Sequence, residues 1–184
     1  NFTDMNTSTK KTSKSKNEQT TQAEFHEFFV EQMKDIYWAE QHLIKGLQKM
    51  AGAATSLQLK KAFEKHYTES QKQICEVEQI FELLGEKPSA KRCAAMAGLL
   101  EEAEEMIQDT ERNSFVRDAG LILAAQKSEH YEIATYGTLK ALAAYLPEKK
   151  VAKMLSKILE GEKKTDAALT CLAEDFINEC AAVE

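Results

Sequence analysis

Carboxylates interrupt four stretches of the chain in which apolar residues recur at steps of three and four. The acidic residues on these lines are Glu40, Glu69, Glu129, Glu132, Glu162 and Asp166. A carboxylate is rarely buried without a partner, because removing its charge from water costs free energy. Lysine and arginine are absent from the same lines. The simplest compensation is a pair of divalent metal ions, and carboxylate oxygens with one imidazole suit iron or manganese.

His66 is the candidate imidazole ligand, because it precedes Glu69 by three residues and shares its predicted face. A structural core histidine is the alternative interpretation. Gln73 and Asp166 each follow a candidate ligand by four residues, so they are placed to bind metal or to hydrogen-bond a ligand. Tyr136 lies one turn beyond Glu132, and we interpret it as a core aromatic residue with a satisfied hydroxyl. The alternative is that it hydrogen-bonds a ligand or meets an oxidising intermediate.

Di-metal carboxylate bundles use one glutamate from each of two helices and Glu-x-x-His from each of the other two. Here Glu40 is the single glutamate of the first long helix, and Glu129-x-x-Glu132 serves the third. Glu69 and Glu162 belong to the second and fourth, but neither is followed by histidine three residues later.

The candidate ligands also stand at similar heights along the predicted helices. Counted from a turn near residue 53, Glu40 and His66 each lie about 13 residues away. Counted from a turn near residue 148, Glu132 lies about 16 residues away and Glu162 about 14. At about 1.5 Å per residue, these groups should form a layer about 5–8 Å thick across the bundle.

Periodicity predicts four long helices and one short helix, with no strand. The predicted ranges are about 22–51, from Thr55 or Ser56 to 84, 90–110, 113–146 and 147–180. The two short turns make antiparallel hairpins, and a connection of roughly 28 residues between them is long enough to cross the bundle. The predicted fold class is therefore an all-α, ferritin-like four-helix bundle whose long crossover contains an extra short helix.

Composition favours one cytoplasmic helical domain. The chain has 184 residues, a net charge of −6, and four cysteines that we interpret as reduced thiols. No apolar run approaches the ~20 residues of a membrane span, and the hydrophilic start is unlike a secretory signal. Residues 1–20, rich in Ser, Thr, Lys and Asn, are predicted to be a disordered tail preceding a domain over 21–184.

Four segments carry a resemblance to a known family. They are DIYWAEQHLIKGLQKMAGAATS, FELLGEKPSAKRCAAMAGLLEE, AAQKSEHYEIATYGTLKAL and GEKKTDAALTCLAE. The chain resembles the YciE/YciF family of bacterial ferritin-like proteins over residues 24–178. The resemblance implies a cytoplasmic bundle, often dimeric, that is associated with stress responses. Its metal positions map onto Glu40, Glu69, Glu129, Glu132 and Glu162, and Gln73 stands where family members often have histidine.

Two classes of function are consistent with these observations. The first is a di-metal carboxylate protein, with iron foremost and manganese as the alternative, that oxidises Fe(II) or consumes peroxide. Its substrate would be O₂ or peroxide, and we expect a homodimer. The second is a non-catalytic structural or interaction protein whose metal site is vestigial or singly occupied. Nucleic acid binding is a weaker hypothesis, because the acidic chain offers only four lysines in its tail.

Overall fold

Helices make up nearly all of the described chain. The computed structural model describes the backbone of residues 8–184 and the side chains from residue 20 onward. The helices are α1 (Ser8–Ala53), α2 (Leu57–Leu83), α3 (Ala94–Asp109), α4 (Phe115–Ala143), α5 (Lys149–Leu172) and α6 (Asn178–Val183), with a π-helical turn over Ala173–Ile177. No strand occurs within residues 8–184.

Serine side chains cap α2 and α4 where the sequence predicts that these helices begin. The Oγ of Ser56 accepts a hydrogen bond from the backbone N–H of Leu59 at 3.3 Å. The Oγ of Ser114 accepts one from the N–H of Arg117 at 3.1 Å. Each bond satisfies a donor that has no partner within the helix. After α2 the chain turns at Gly85, whose φ of 74° lies in the region that favours glycine.

Several boundaries differ from the predicted ones. α1 begins at Ser8 instead of near residue 22, because no glycine or proline interrupts the chain there. α4 ends at Ala143, three residues before the predicted end. The last predicted helix is interrupted by the π-helical turn over Ala173–Ile177. Residues 8–20 of the predicted disordered tail belong to α1, and for residues 1–7, which lie outside the described part of the chain, disorder stays a prediction.

The four long helices form two antiparallel hairpins. α1 packs against α2 and α4 packs against α5, and the two hairpins meet along the α1–α4 and α2–α5 contacts. The order around the bundle is therefore α1, α2, α5, α4. This arrangement confirms the predicted all-α, ferritin-like bundle, with the extra helix α3 in the crossover.

Helix α3 lies against the α1–α4 side of the bundle. Two glycines permit this close approach: a Cβ atom at Gly46 of α1 would overlap Leu100, and one at Gly120 of α4 would overlap Met106. The α1–α4 side is thus covered by a third helix, whereas no helix covers the α2–α5 side among the described residues. No described helix is sufficiently long and apolar to cross a membrane.

Candidate metal centre

Four buried side chains converge in the middle of the bundle. His66 from α2, Glu129 and Glu132 from α4, and Glu162 from α5 each offer one ligand atom, and these atoms all lie within 4.8 Å of one another. Glu40 from α1 is fully buried in the same layer. The predicted layer thus contains a ligand-bearing side chain from every long helix, a geometry suited to a metal ion.

Helical periodicity places these side chains inward. In α1, Glu40 lies between Ile36 and Leu43, which are both fully buried. In α4, Glu129 and Glu132 are three residues apart and therefore share one face, which is buried along the whole helix. The apolar turns above and below this layer separate it from water.

The buried layer holds a group of polar atoms without hydrogen-bond partners. Within the described side chains, all ten such buried nitrogen and oxygen atoms belong to seven residues of this layer. Both oxygens of Glu129 and Glu132 are included, as are both ring nitrogens of His66. The remaining atoms are one oxygen each of Glu40, Ser70, Gln73 and Glu162. Such groups are normally paired, because an unpaired buried donor or acceptor is destabilising.

The glutamates of this layer favour their neutral forms in the metal-free protein. Burial, followed by repulsion from the neighbouring carboxylates, raises the pKa of Glu132 well above its ordinary value. Burial likewise raises the pKa of Glu40 and Glu129, with a further contribution from Glu162. Burial raises the pKa of Glu162 to about 7. A cation in this layer would reverse these shifts by favouring the ionised carboxylates.

His66 offers a neutral imidazole to the layer. Its Nδ1 lies 3.0 Å from Oε1 of Glu129 and its Nε2 lies 4.0 Å from Oε2 of Glu162, but no hydrogen bond joins these atoms. Burial lowers the pKa of His66 to about 4, because it penalises the charged form. A neutral ring with a free lone pair is the form in which histidine binds metals.

Two hydrogen bonds orient carboxylates at the edges of the cluster. The hydroxyl of Tyr136 donates to Oε1 of Glu40, and this leaves Oε2 without a partner. The amide Nε2 of Gln73 donates to Oε1 of Glu162. Tyr136 is fully buried with its hydroxyl satisfied, as the sequence predicts, but its partner is a candidate ligand. Gln73 serves in the hydrogen-bonding role that was one of its two predicted alternatives.

The structure places Glu69 and Asp166 outside the buried cluster. The side chain of Glu69 is 40% exposed, and its Oε1 lies 3.5 Å from Nζ of Lys65. The side chain of Asp166 is 22% exposed, and its Oδ1 accepts a hydrogen bond from Nε2 of Gln126 at 3.0 Å. Binding of a metal by these two residues stays a prediction.

The position predicted for Glu69 on the inner line of α2 is taken by Ser70. Residues 59, 66, 73 and 80 recur every seven positions and define the buried face. Between them the buried residues are Phe63, Ser70 and Val77, each four positions after a member of this series. The large apolar side chains of Phe63 and Val77 were the available signal for that register. Ser70 is therefore a buried polar residue that the sequence reasoning missed.

The chain matches a family described as "Domain of unknown function (DUF892)" over residues 24–182. This chain belongs to the DUF892 family. It is also 47% identical over 154 residues to the protein YciF of Escherichia coli strain K12, covering 83% of this chain and 92% of YciF. The resemblance to the YciE/YciF family is thereby confirmed.

Solved structures support the same fold for this member of the DUF892 family. The crystal structure of the E. coli stress protein YciF superposes with a TM-score of 0.79 at 46% identity, covering 84% of this chain and 97% of that one. YcfI, a putative structural protein from Rhodopseudomonas palustris, superposes with a TM-score of 0.76 at 38% identity, covering 79% and 92%. The helical bundle is therefore shared with both relatives.

Proposed function

We propose that this DUF892 member binds two divalent metal ions in the buried layer and uses them in oxidative chemistry. Iron is the first choice and manganese the alternative, because the available donors are carboxylate oxygens and one imidazole. The observation that supports this most directly is the group of ten unpaired buried polar atoms in one layer. Metal ligation would give partners to the glutamate and His66 atoms of this group, which are eight of the ten.

Charge balance supports two ions. Glu40, Glu129, Glu132 and Glu162 carry four negative charges when ionised, and two divalent ions carry four positive charges. His66 remains neutral and adds a nitrogen donor without changing this sum. With one ion, two of the four buried carboxyls would have to hold protons to stay neutral, whereas two ions allow all four to ionise and bind metal.

Bound iron would supply redox chemistry with O₂ or peroxide, in which Fe(II) is oxidised and the oxidant is reduced. The protein's own side chains prepare the site for it. Tyr136 holds one oxygen of Glu40 and directs the other toward the cluster. Gln73 does the same for Glu162. The apolar layers of the bundle exclude bulk water, so the carboxylates act in a medium of low dielectric constant.

The relative YciF is described as a stress protein. Oxidation of Fe(II) to Fe(III), coupled to reduction of peroxide to water, is a stress-related activity that this site is suited to perform. We therefore propose O₂ or peroxide as the small-molecule substrate. A homodimer in the bacterial cytoplasm stays part of this proposal, and light scattering of the purified protein would test the oligomeric state.

Metal stoichiometry after anaerobic loading tests the proposal. The purified protein is incubated with Fe(II), desalted, and analysed for bound iron, with separate samples for manganese. We expect about two metal ions per chain and oxidation of the iron on addition of peroxide. Glu132→Gln should lower the stoichiometry, whereas Glu101→Gln, on the exposed face of α3, should not. A wild-type chain that retains neither metal would overturn the proposal.

A second candidate function is a structural protein with one metal ion or none. Two observations favour it: the relative from R. palustris is described as a putative structural protein, and an amide at Gln73 already holds one oxygen of Glu162. The same loading experiment separates the two candidates. One tightly held ion that peroxide leaves unchanged would support the structural role.

A further inference from the structure

The α2–α5 side of the bundle offers a path from solvent to the buried cluster. Helix α3 covers the opposite, α1–α4 side, where Leu100 and Met106 pack against glycines. Among the described residues no helix covers α2 and α5. An ion that enters from the α2–α5 side therefore meets one layer of side chains, whereas an ion that enters from the α1–α4 side must also pass α3.

Glu69 stands at the outer end of this path. Its side chain is 40% exposed, and its only described ion-pair partner is Lys65, whose side chain is 73% exposed. The 3.5 Å separation between Lys65 Nζ and Glu69 Oε1 is that of a surface ion pair, which contributes little to stability. A divalent cation from solvent can therefore displace the lysine from this carboxylate at low free-energy cost.

Gln73 links Glu69 to the buried cluster. It lies one turn further along α2 and is 8% exposed. Its amide nitrogen donates to Glu162, while its Oε1 is buried without a partner. Gly161 of α5 lies beside this amide, since a Cβ atom there would be 3.6 Å from Nε2. The unpaired amide oxygen is a suitable intermediate ligand for a hard cation, and the absent side chain at Gly161 leaves the amide room to rotate.

Glu69 is also close enough to influence Glu162 electrostatically. Burial is the main cause of the raised pKa of Glu162, and the charge of Glu69 adds to it. The competing exposed carboxylate, Asp166, is bound by Gln126 at 3.0 Å and lies 3.4 Å from His130 Nε2. Glu76 of α2 is held by Nζ of Lys157 from α5. Glu69 is thus less restrained than Asp166 or Glu76.

We propose that Glu69 is the outer ligand of a metal entry route between α2 and α5. A divalent cation binds first at Glu69 in place of Lys65, then passes the amide oxygen of Gln73 and reaches Glu162 and His66. The only covalent bonds that break on this route are the O–H bonds of glutamates that hold a proton, the protons pass to solvent as the metal binds, and the metal keeps its oxidation state. This inference rests on the proposed function, because it requires that the buried layer binds metal.

Stopped-flow loading with Co²⁺, a divalent probe with visible absorption, tests the route. Glu69→Gln is compared with Glu64→Gln, which removes the same charge from an exposed position on the same helix. We expect Glu69→Gln to slow loading about three- to tenfold at low ionic strength, with a smaller effect at high salt. Release to a chelator should slow by the same factor, and the stoichiometry at equilibrium should stay at the wild-type value.

The other outcomes overturn the proposal in distinguishable ways. A loss of stoichiometry or of equilibrium affinity in Glu69→Gln would make Glu69 a ligand of the final site instead of an entry residue. Loading of Glu69→Gln at the rate of Glu64→Gln would exclude the route. Absence of bound Co²⁺, iron and manganese in the wild type would refute the proposed function itself, and the route with it.

Discussion

Two fully buried carboxylates on α4, Asp118 and Glu132, have opposite surroundings. Asp118 Oδ1 accepts a hydrogen bond from the backbone N–H of Thr55 at 2.7 Å, and Oδ2 accepts one from the N–H of Ser56 at 2.6 Å. Both oxygens of Glu132 lack a partner. The two side chains are each 0% exposed, so burial alone does not distinguish them.

The difference shows what identifies a functional site in this bundle. Asp118 joins the two hairpins by satisfying donors just before α2, and its charge is stabilised by the N-terminus of that helix. Glu132 accepts no hydrogen bond from a backbone N–H and lies among other carboxylates, so it must hold a proton in the metal-free fold, which lowers the stability of that fold at neutral pH. An arrangement of this kind is typical of binding sites, where stability is lost in exchange for function.

The largest expected effect concerns the unsatisfied carboxylates. Glu129→Gln combined with Glu132→Gln should abolish the stabilisation by metal, which for the wild type is about 3–4 kcal/mol per bound ion at 100 to 1,000 times the Kd. The metal-free double variant should unfold at a higher temperature than the metal-free wild type, because the substitutions relieve repulsion. Thermal unfolding with chelator and with saturating Mn²⁺ measures both effects.

A matched control for this variant is Glu101→Gln with Glu105→Gln on the exposed face of α3. It removes the same number of carboxyl groups but should retain the wild-type response to Mn²⁺. The interpretation of the cluster as a metal site is contradicted if the double variant at Glu129 and Glu132 still gains stability from Mn²⁺.

The second-largest expected effect is the loss of stability when Asp118, the carboxylate with two hydrogen-bond donors, is replaced. Asp118→Ala should lower the free energy of unfolding by about 2–4 kcal/mol, because it leaves the N–H groups of Thr55 and Ser56 without their acceptor. Asp118→Asn should have an intermediate effect, since one acceptor oxygen remains. Urea denaturation measures the difference. The loss should be equal with and without Mn²⁺, and a metal-dependent loss would show that Asp118 belongs to the site.

The smallest effect is the pH dependence of the metal-free protein. Burial raises the pKa values of Glu40, Glu129 and Glu132 well above the ordinary value. It raises the pKa of Glu162 to about 7. These groups hold protons in the folded state that the unfolded chain releases above its ordinary carboxyl pKa. Their contribution to stability is therefore present at low pH and decreases as the pH rises. The lowered pKa of His66 has the opposite effect, because it makes the stability of the folded protein rise with pH. This rise is complete by about pH 6.5.

We therefore expect the metal-free protein to lose about 2 kcal/mol of stability between pH 6.5 and 8 for each glutamate that keeps its proton over this range, since each proton contributes about 1.4 kcal/mol per pH unit. Urea denaturation with chelator measures this slope. In the double variant at Glu129 and Glu132 the slope should be shallower. With saturating Mn²⁺ it should reverse, because metal binding requires deprotonated ligands. If the stability of the metal-free wild type did not change with pH, the contrast drawn between Asp118 and the cluster glutamates would be contradicted.

Helices α4 and α2 show how far sequence reasoning extends to the site. On α4 the buried face includes Glu129, Glu132 and Tyr136, all on the predicted line. On α2 the predicted line contained Glu69, but Ser70 is the buried residue. Glu69 lies three residues after His66 and Ser70 lies four residues after it, and both spacings are compatible with one helix face. The prediction chose the acidic residue, whereas the structure buries the serine.

The amino-acid sequence by itself determined the fold and the height of the site. Periodic apolar residues, the serine caps and the long crossover define a ferritin-like bundle, and like spacing from the turns brings the carboxylates to one layer. Tertiary structure alone decided which polar atoms find partners. Asp118 meets the backbone N–H groups of Thr55 and Ser56, which are more than 60 positions away in the chain. Whether Glu69 faces solvent depends on a rotation of α2 by a fraction of a turn. Local periodicity carries no information on either.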